Sequence, residues 1–175
     1  AGRHLVWIEY GLQSAHDRTL ARINRGHDFA CFRNAVIATR NRGINICAHV
    51  ILGLPRESRQ EMLETADAIA DLGLDGVKLH LLYVVRGTPM AALYRAGRYR
   101  CLRQKEYADI VCEFIARIPE SMVVQRLTGD PHPDELIAPA WSLHKRETRD
   151  LIHRRLAEKN IWQGKQCRAR PGISV

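Results

Sequence analysis

Hydrophobic and polar positions divide the chain into repeating strand–loop–helix units. Val6, Ile8, Tyr10 and Leu12 alternate with Trp7, Glu9, Gly11 and Gln13, which predicts a strand over about residues 5–13. An Arg-rich turn follows. Phe29, Phe32, Val36 and Thr39 then fall at helical spacing, predicting a helix over 28–42 with Gly43 as its stop. A second strand is expected over 44–52. The helix after it opens on a capping box, Ser58 with Glu61 three residues on, carries Met62, Ala66, Ile69 and Leu72 as its apolar stripe, and ends at Gly73. A third strand spans about 76–85. The second half reads as more helical. Tyr107, Val111, Phe114 and Ile118 make one stripe stopped by Pro119, residues 122–127 read as one more strand, and "TGDPHPDE" reads as a loop. A basic amphipathic helix is expected over 141–160, with Leu143, Leu151, Ile152 and Leu156 apolar, followed by a frayed basic tail over 161–175.

Alternation also sorts the strand faces. Glu9, Gly11 and Gln13 share one face of the first strand. Asn45, Cys47 and His49 share one face of the second, and Lys78, His80 and Leu82 one face of the third. The opposite faces are apolar and suited to helix packing. In an open doubly wound sheet both faces would meet helices, and each unpaired buried amide or carboxylate would cost roughly 1–3 kcal/mol or more. In a barrel the polar face lines the lumen, and residues near the C-terminal strand ends, such as Gln13 and His49, lie at the mouth where barrel sites form. Singly, each residue also has a plain structural reading. His49 and His80 suit hydrogen-bonded core histidines, Glu9 suits a salt bridge to Lys78, and Arg25 suits a solvated surface arginine. The agreement of three strands on one polar face favours the barrel.

Composition changes this picture little. The 175 residues suffice for one domain with a real core, and no run approaches the roughly 20 apolar residues of a membrane helix. The start, "AGRHLVWIEYG", has no signal-peptide order and no initiator Met, so the chain reads as cut from something longer. Five scattered cysteines form no CxxC pair, which suits free thiols in a reducing cytoplasm. Charge matters more. The net charge is +8, and residues 141–175 carry nine Lys/Arg against three Asp/Glu. Such a segment is a candidate nucleic-acid surface, although charge alone better suits a solvated helix face plus a disordered tail.

Three stretches together resemble a known family. "IEYGLQSAHDRTLARINRGHD", "GINICAHVILGLPRES" and "VKLHLLYVVRGTPM" resemble the fourth, fifth and sixth strand regions of radical S-adenosylmethionine (SAM) enzymes. The branch is the one with the Elongator catalytic subunit and oxygen-independent coproporphyrinogen dehydrogenase, and the match looks best to a bacterial subfamily of unassigned substrate. The resemblance covers about residues 5–90. It implies an α/β chain forming the C-terminal half of a partial (βα)6 TIM-like barrel with a helical C-terminal extension, divided as 1–90 for the barrel half, 91–160 for the extension and 161–175 for the tail. It implies a 4Fe-4S cluster and SAM, reductive SAM cleavage, a reductant such as flavodoxin or ferredoxin, and an unassigned substrate for which tRNA is a candidate. By position it implies that Gln13 contacts SAM ribose or amino-acid groups, that Arg25 meets the SAM carboxylate as a fork, that His49 stands where relatives carry a ribose-binding Asp, and that the backbone from Leu82 to Val84 meets adenine.

One departure is large. The family holds its cluster with CxxxCxxC after the first strand of the barrel, and this chain has no such motif, so the cluster ligands are expected outside it. By itself the chain is expected to be inactive, with unpaired sheet edges. The competing readings are a non-catalytic nucleic-acid-binding or interaction module derived from a barrel, and a barrel metal enzyme using His49 and His80, for which no third ligand is evident.

Overall fold

A computed structural model describes residues 4–168. Four parallel strands form the main sheet: β1 (Val6–Gln13), β2 (Ile44–Leu52), β3 (Gly76–Leu81) and β5 (Val123–Arg126), in that spatial order. Between them run α1 (Asp17–Arg22), α2 (Phe29–Thr39), α3 (Arg59–Asp71), α4 (Pro89–Arg95) and α5 (Gln104–Arg117). A second, two-stranded sheet pairs β4 (Val84–Val85) antiparallel with β6 (Leu136–Ala138). A 3-10 turn at Ala140–Leu143 leads into α6 (Lys145–Glu158).

The strand alternation becomes two unlike sheet faces. Ile46, Ala48, Val50 and Leu52 of β2 and Val77, Leu79 and Leu81 of β3 are buried against α2, α3 and α5 in one continuous core. Phe32 and Val36 of α2 complete it beside β1, where Tyr10 reaches the Thr39 hydroxyl at 2.7 Å. Each such Leu, Ile or Val contributes about 1.5–3 kcal/mol through burial. Helices cover this face only. The opposite face carries Glu9, Gly11, His49, Lys78 and His80, and His49 and Lys78 keep 29% and 23% of their side chains accessible. A parallel sheet covered on one side, polar on the other, is what the barrel reading requires of a barrel segment.

Helix caps explain several boundaries. Asp28 accepts from the Cys31 N–H at 2.7 Å to start α2. Ser58 and Glu61 form the expected reciprocal box on α3, at 3.2 and 2.8 Å. Thr88, with Pro89 at the first helical position, starts α4.

Several expectations are corrected. The Arg-rich turn contains α1. The third strand stops at Leu81 rather than residue 85, because Leu82 and Tyr83 bend the chain and Val84–Val85 pair with β6 instead. The helix expected over 141–160 is broken at His144. The strand expected over 122–127 is present as β5, which joins the sheet begun before residue 90, while β6, not expected from the sequence, follows the expected loop and pairs with β4. Residues 161–168 are bonded to the body: Gln163 Nε2 donates to the Pro119 and Met122 carbonyls at 2.7 and 2.6 Å, and the Gln166 N–H donates to the Ala116 carbonyl at 2.7 Å. The rest of the expected tail, 169–175, lies outside the described residues.

Candidate functional site

The C-terminal end of β1 is locally unusual. β1 takes an extra residue against β2 between Tyr10 and Gln13, and Gln13 adopts φ +71°. A left-handed non-glycine costs on the order of 1–3 kcal/mol and persists where surroundings over-determine it. The bulge keeps Leu12 fully buried while placing the Gln13 amide on the polar face. The placement is read from Gly11. A Cβ there would lie 2.7 Å from Gln13 Nε2 and 2.4 Å from Arg25 Nη2. The missing side chain of Gly11 is thus the space in which Gln13 and Arg25 meet.

Arg25 arrives from the loop after α1. Its Nε and Nη2 donate to the Gly11 carbonyl at 3.1 and 2.8 Å, which fixes the plane of the guanidinium. No carboxylate among the described residues pairs with it. The loop itself is anchored. Ser14, 1% exposed, donates to the Glu57 carboxylate, the Ala15 N–H donates to Thr65 Oγ1 at 3.1 Å, and Arg22 donates to the Pro55 carbonyl at 3.1 Å. Burial raises the Glu57 carboxyl above the usual range, partly offset by the Ser14 hydrogen bond. These contacts bind the Gln-Ser segment to the Gly-Leu-Pro segment that follows β2. Gly53 there has φ +88°, and the Tyr99 hydroxyl donates to its carbonyl at 2.8 Å.

A charge network occupies the centre of the polar face. The Glu9 carboxylate accepts from Lys78 Nζ through one oxygen and lies 2.6 Å from His49 Nε2 through the other. Lys78 first, then His49, holds Glu9 below the usual carboxylate range. The salt-bridge reading of Glu9 therefore holds, and His49 joins it. His80 stands beside His49 with ring centroids 5.6 Å apart, yet its Nε2 accepts from Arg126 Nη1 at 3.2 Å. Burial, followed by the nearby Arg126, His49 and Lys78 charges, lowers the His80 ring to about 4. The two imidazoles aim Nε2 at different partners, and no group of three or more His, Cys, Asp or Glu side chains among the described residues is placed to hold a metal ion.

The remaining positions singled out by sequence behave differently. The Leu82 N–H is donated to the Leu52 carbonyl at 2.9 Å, and Val84 lies buried opposite Ala138 in the second sheet. Of the two tryptophans flanking the basic helix, Trp141 packs 5.5 Å from Tyr107 and donates to the Leu102 carbonyl, whereas Trp162 is 51% exposed. Sequence reasoning missed Arg126. Its signal was a charged residue inside the apolar strand pattern "MVVQRL", and a register shift places it opposite Lys78 on the polar face.

Comparison with known proteins agrees with this architecture. The chain matches the Radical SAM superfamily over residues 1–69 and the Radical_SAM C-terminal domain over residues 74–158. It is 44% identical over 163 residues to YtqA of Bacillus subtilis, covering 93% of this chain and 51% of that protein. It is 42% identical over 136 residues to YhcC of Escherichia coli, covering 78% and 44%. Elongator complex protein 3 of Saccharomyces cerevisiae is 25% identical over 126 residues, 70% of this chain and 23% of that protein. The solved structure of the archaeal Methanocaldococcus infernus Elp3 superposes with a TM-score of 0.79 at 18% identity, over 90% of this chain and 37% of that one, which shows a shared fold. The chain spans about half the length of the curated relatives it matches. The family works with SAM and a 4Fe-4S cluster, and its CxxxCxxC cluster motif is not in this sequence. With the two matches running through nearly all of the described strands and helices, the chain belongs to the radical SAM superfamily.

Proposed function

We propose that this chain is the SAM-holding part of an enzyme that cleaves SAM reductively to begin radical chemistry on an unassigned substrate, with tRNA as a candidate. The observation that carries the reading is the space over Gly11. Two side chains converge on it, and one is an arginine whose charge no carboxylate among the described residues meets.

The donor set fits SAM. Arg25 spends Nε and Nη2 on the Gly11 carbonyl, which leaves further guanidinium N–H groups for a carboxylate. Gln13 presents an amide able to donate and accept beside it. Glu9 holds His49 through Nε2, which orients Nδ1 as the ring nitrogen for a ribose hydroxyl. With its N–H engaged, Leu82 retains its carbonyl for an adenine amino group, and the β4–β6 pairing fixes the backbone at Val84. The cluster does not fit this chain. Cys47, Cys101 and Cys112 are buried, Cys31 is exposed and the five are dispersed, so no step is assigned to them. Held by Arg25, Gln13, His49 and the Leu82–Val84 backbone, SAM would supply the adenosyl group for hydrogen abstraction, released from methionine by one electron from a cluster whose ligands lie outside this chain.

The test uses the full-length protein, reconstituted anaerobically with iron and sulfide. Reductant and SAM should yield 5′-deoxyadenosine by mass spectrometry. Arg25→Ala and Gln13→Ala should lose it at unchanged iron content, and equilibrium dialysis should show weaker SAM binding. A full-length protein that assembles no cluster and binds no SAM refutes the reading and promotes the non-catalytic binding module.

A further inference from the structure

The strand end of β5 and the start of α6 enclose a groove of about 540 Å³, lined by Val124, Gln125, Arg126, Leu127, Thr128, Lys145, Arg146 and Arg149. Four of these are cations. Two carboxylates answer them: Asp130 meets Lys145 at 2.7 Å, and Asp150 lies 3.9 Å from both Arg146 and Arg149. Arg126 makes no salt bridge among the described residues, though its charge acts on Asp130 at longer range. The groove therefore holds a surplus of positive charge, which is costly to gather unless an anion shares it.

Two further features point to that anion. α6 begins with Lys145 and Arg146, cations set against the positive end of the helix macrodipole. His144 gives this end no side-chain cap, so first-turn N–H groups remain available to an oxyanion. Thr128, 5% exposed, lines the floor of the groove, with its buried hydroxyl turned toward Tyr107.

Arg126 also gives the groove a direction. It lines the groove and donates to His80 on the polar sheet face, so the groove borders that face. Beyond the groove, exposed His153 and Arg154 continue the basic surface along α6. A single phosphate would need only the groove, whereas this run suits a chain of phosphates.

We propose that the β5–α6 groove seats the phosphodiester backbone of an RNA substrate whose reacting nucleotide reaches the polar sheet face. The proposal rests on the function proposed above for its substrate class. It assigns Arg126, Arg146 and Arg149 as guanidinium forks on phosphate oxygens.

The test is binding of full-length protein to a fluorescent tRNA transcript, by anisotropy across a salt series and without SAM. Arg146→Ala with Arg149→Ala should weaken binding roughly tenfold, and each phosphate no longer gripped should reduce the slope of log affinity against log salt by about 0.7–0.9. Arg33→Ala, an exposed cation on α2, should leave the slope unchanged. Arg149→Lys should recover much of the affinity. Equal losses in the groove and Arg33 variants would overturn the groove as a site, as would tighter binding of an acidic peptide than of RNA. Wild-type protein that makes 5′-deoxyadenosine but binds no RNA overturns the groove and leaves the SAM reading standing. Groove-dependent RNA binding in a protein that never cleaves SAM sustains the groove and removes the SAM reading.

Discussion

Replacing Gly11 by alanine separates stability from cofactor binding. The new Cβ would stand 2.4 Å from Arg25 Nη2 and 2.7 Å from Gln13 Nε2, distances no real methyl tolerates. Both obstructing atoms are ends of flexible side chains, so they move aside and the fold survives. The strand backbone at Gly11 is compatible with alanine, and reduced freedom of the unfolded chain returns about 0.4–1 kcal/mol. The loss falls on the site. Arg25 leaves the Gly11 carbonyl, giving up two charge-assisted hydrogen bonds, and Gln13 leaves its place beside it. Such bonds contribute on the order of 1.5–3 kcal/mol when buried. The site is half-exposed, so the bonds that the displaced Arg25 and Gln13 would have made to SAM are taken at about 1.5–3 kcal/mol for the pair, or roughly ten- to hundredfold in SAM affinity. The assay pairs the thermal midpoint of the full-length protein without SAM with equilibrium dialysis of SAM. The expected result is a midpoint lowered by roughly a few degrees, with the fold intact, and SAM binding weakened by about tenfold or more. A Gly11→Ala protein that binds SAM as tightly as wild type would refute the reasoning, because Arg25 and Gln13 would then be irrelevant to the ligand.

Two further outcomes follow from titrating groups. His80 is held near pH 4 against an ordinary 6.5, so between those values the unfolded chain binds the extra proton and stability falls as pH drops. Histidine-selective NMR should show one ring titrating near 4, moving toward 6.5 in Arg126→Gln; a ring unaffected by that change would disprove the Arg126 contribution. Thiol reactivity should be equally uneven, since burial pushes Cys47 and Cys112 to about 11 while Cys31 is exposed. Brief alkylation at pH 8 with peptide mapping should label Cys31 first, and early labelling of Cys47 would contradict its buried place in β2.

What the sequence disclosed depended on how local the cause was. The second strand matches 44–52 residue for residue, because "INICAHVIL" alternates cleanly between two stops. The Ser58–Glu61 box marked the start of α3 for the same reason. α1 escaped because six residues are too few for a stripe and His16 offers no side-chain cap. α4 was legible in principle, since Thr88 followed by Pro89 is a start signal. β6 was not, because a three-residue strand is defined by a partner strand far earlier in the chain, Val84 opposite Ala138 and Val85 opposite Leu136, and the same partnership ended the third strand at Leu81. At the site, Gly11, Gln13 and Glu9 could be placed on one face by alternation. The bulge that carries Gln13 there, and the register shift that brings Arg126 to Lys78, arise from pairing with distant strands.

The order β1-β2-β3-β5 also dictates a timetable for synthesis. β3 ends at Leu81, and the strand that covers its free side is complete only at Arg126. At roughly 5–20 residues per second, a ribosome needs about 2–9 s to cross that interval. During it, three paired strands present a row of unclaimed N–H and C=O groups to other nascent chains. Lys78 sits in the middle of that row, where its charge discourages a stranger from docking before β5 emerges. The lysine that later meets Glu9 thus serves first as a guard on an unfinished sheet.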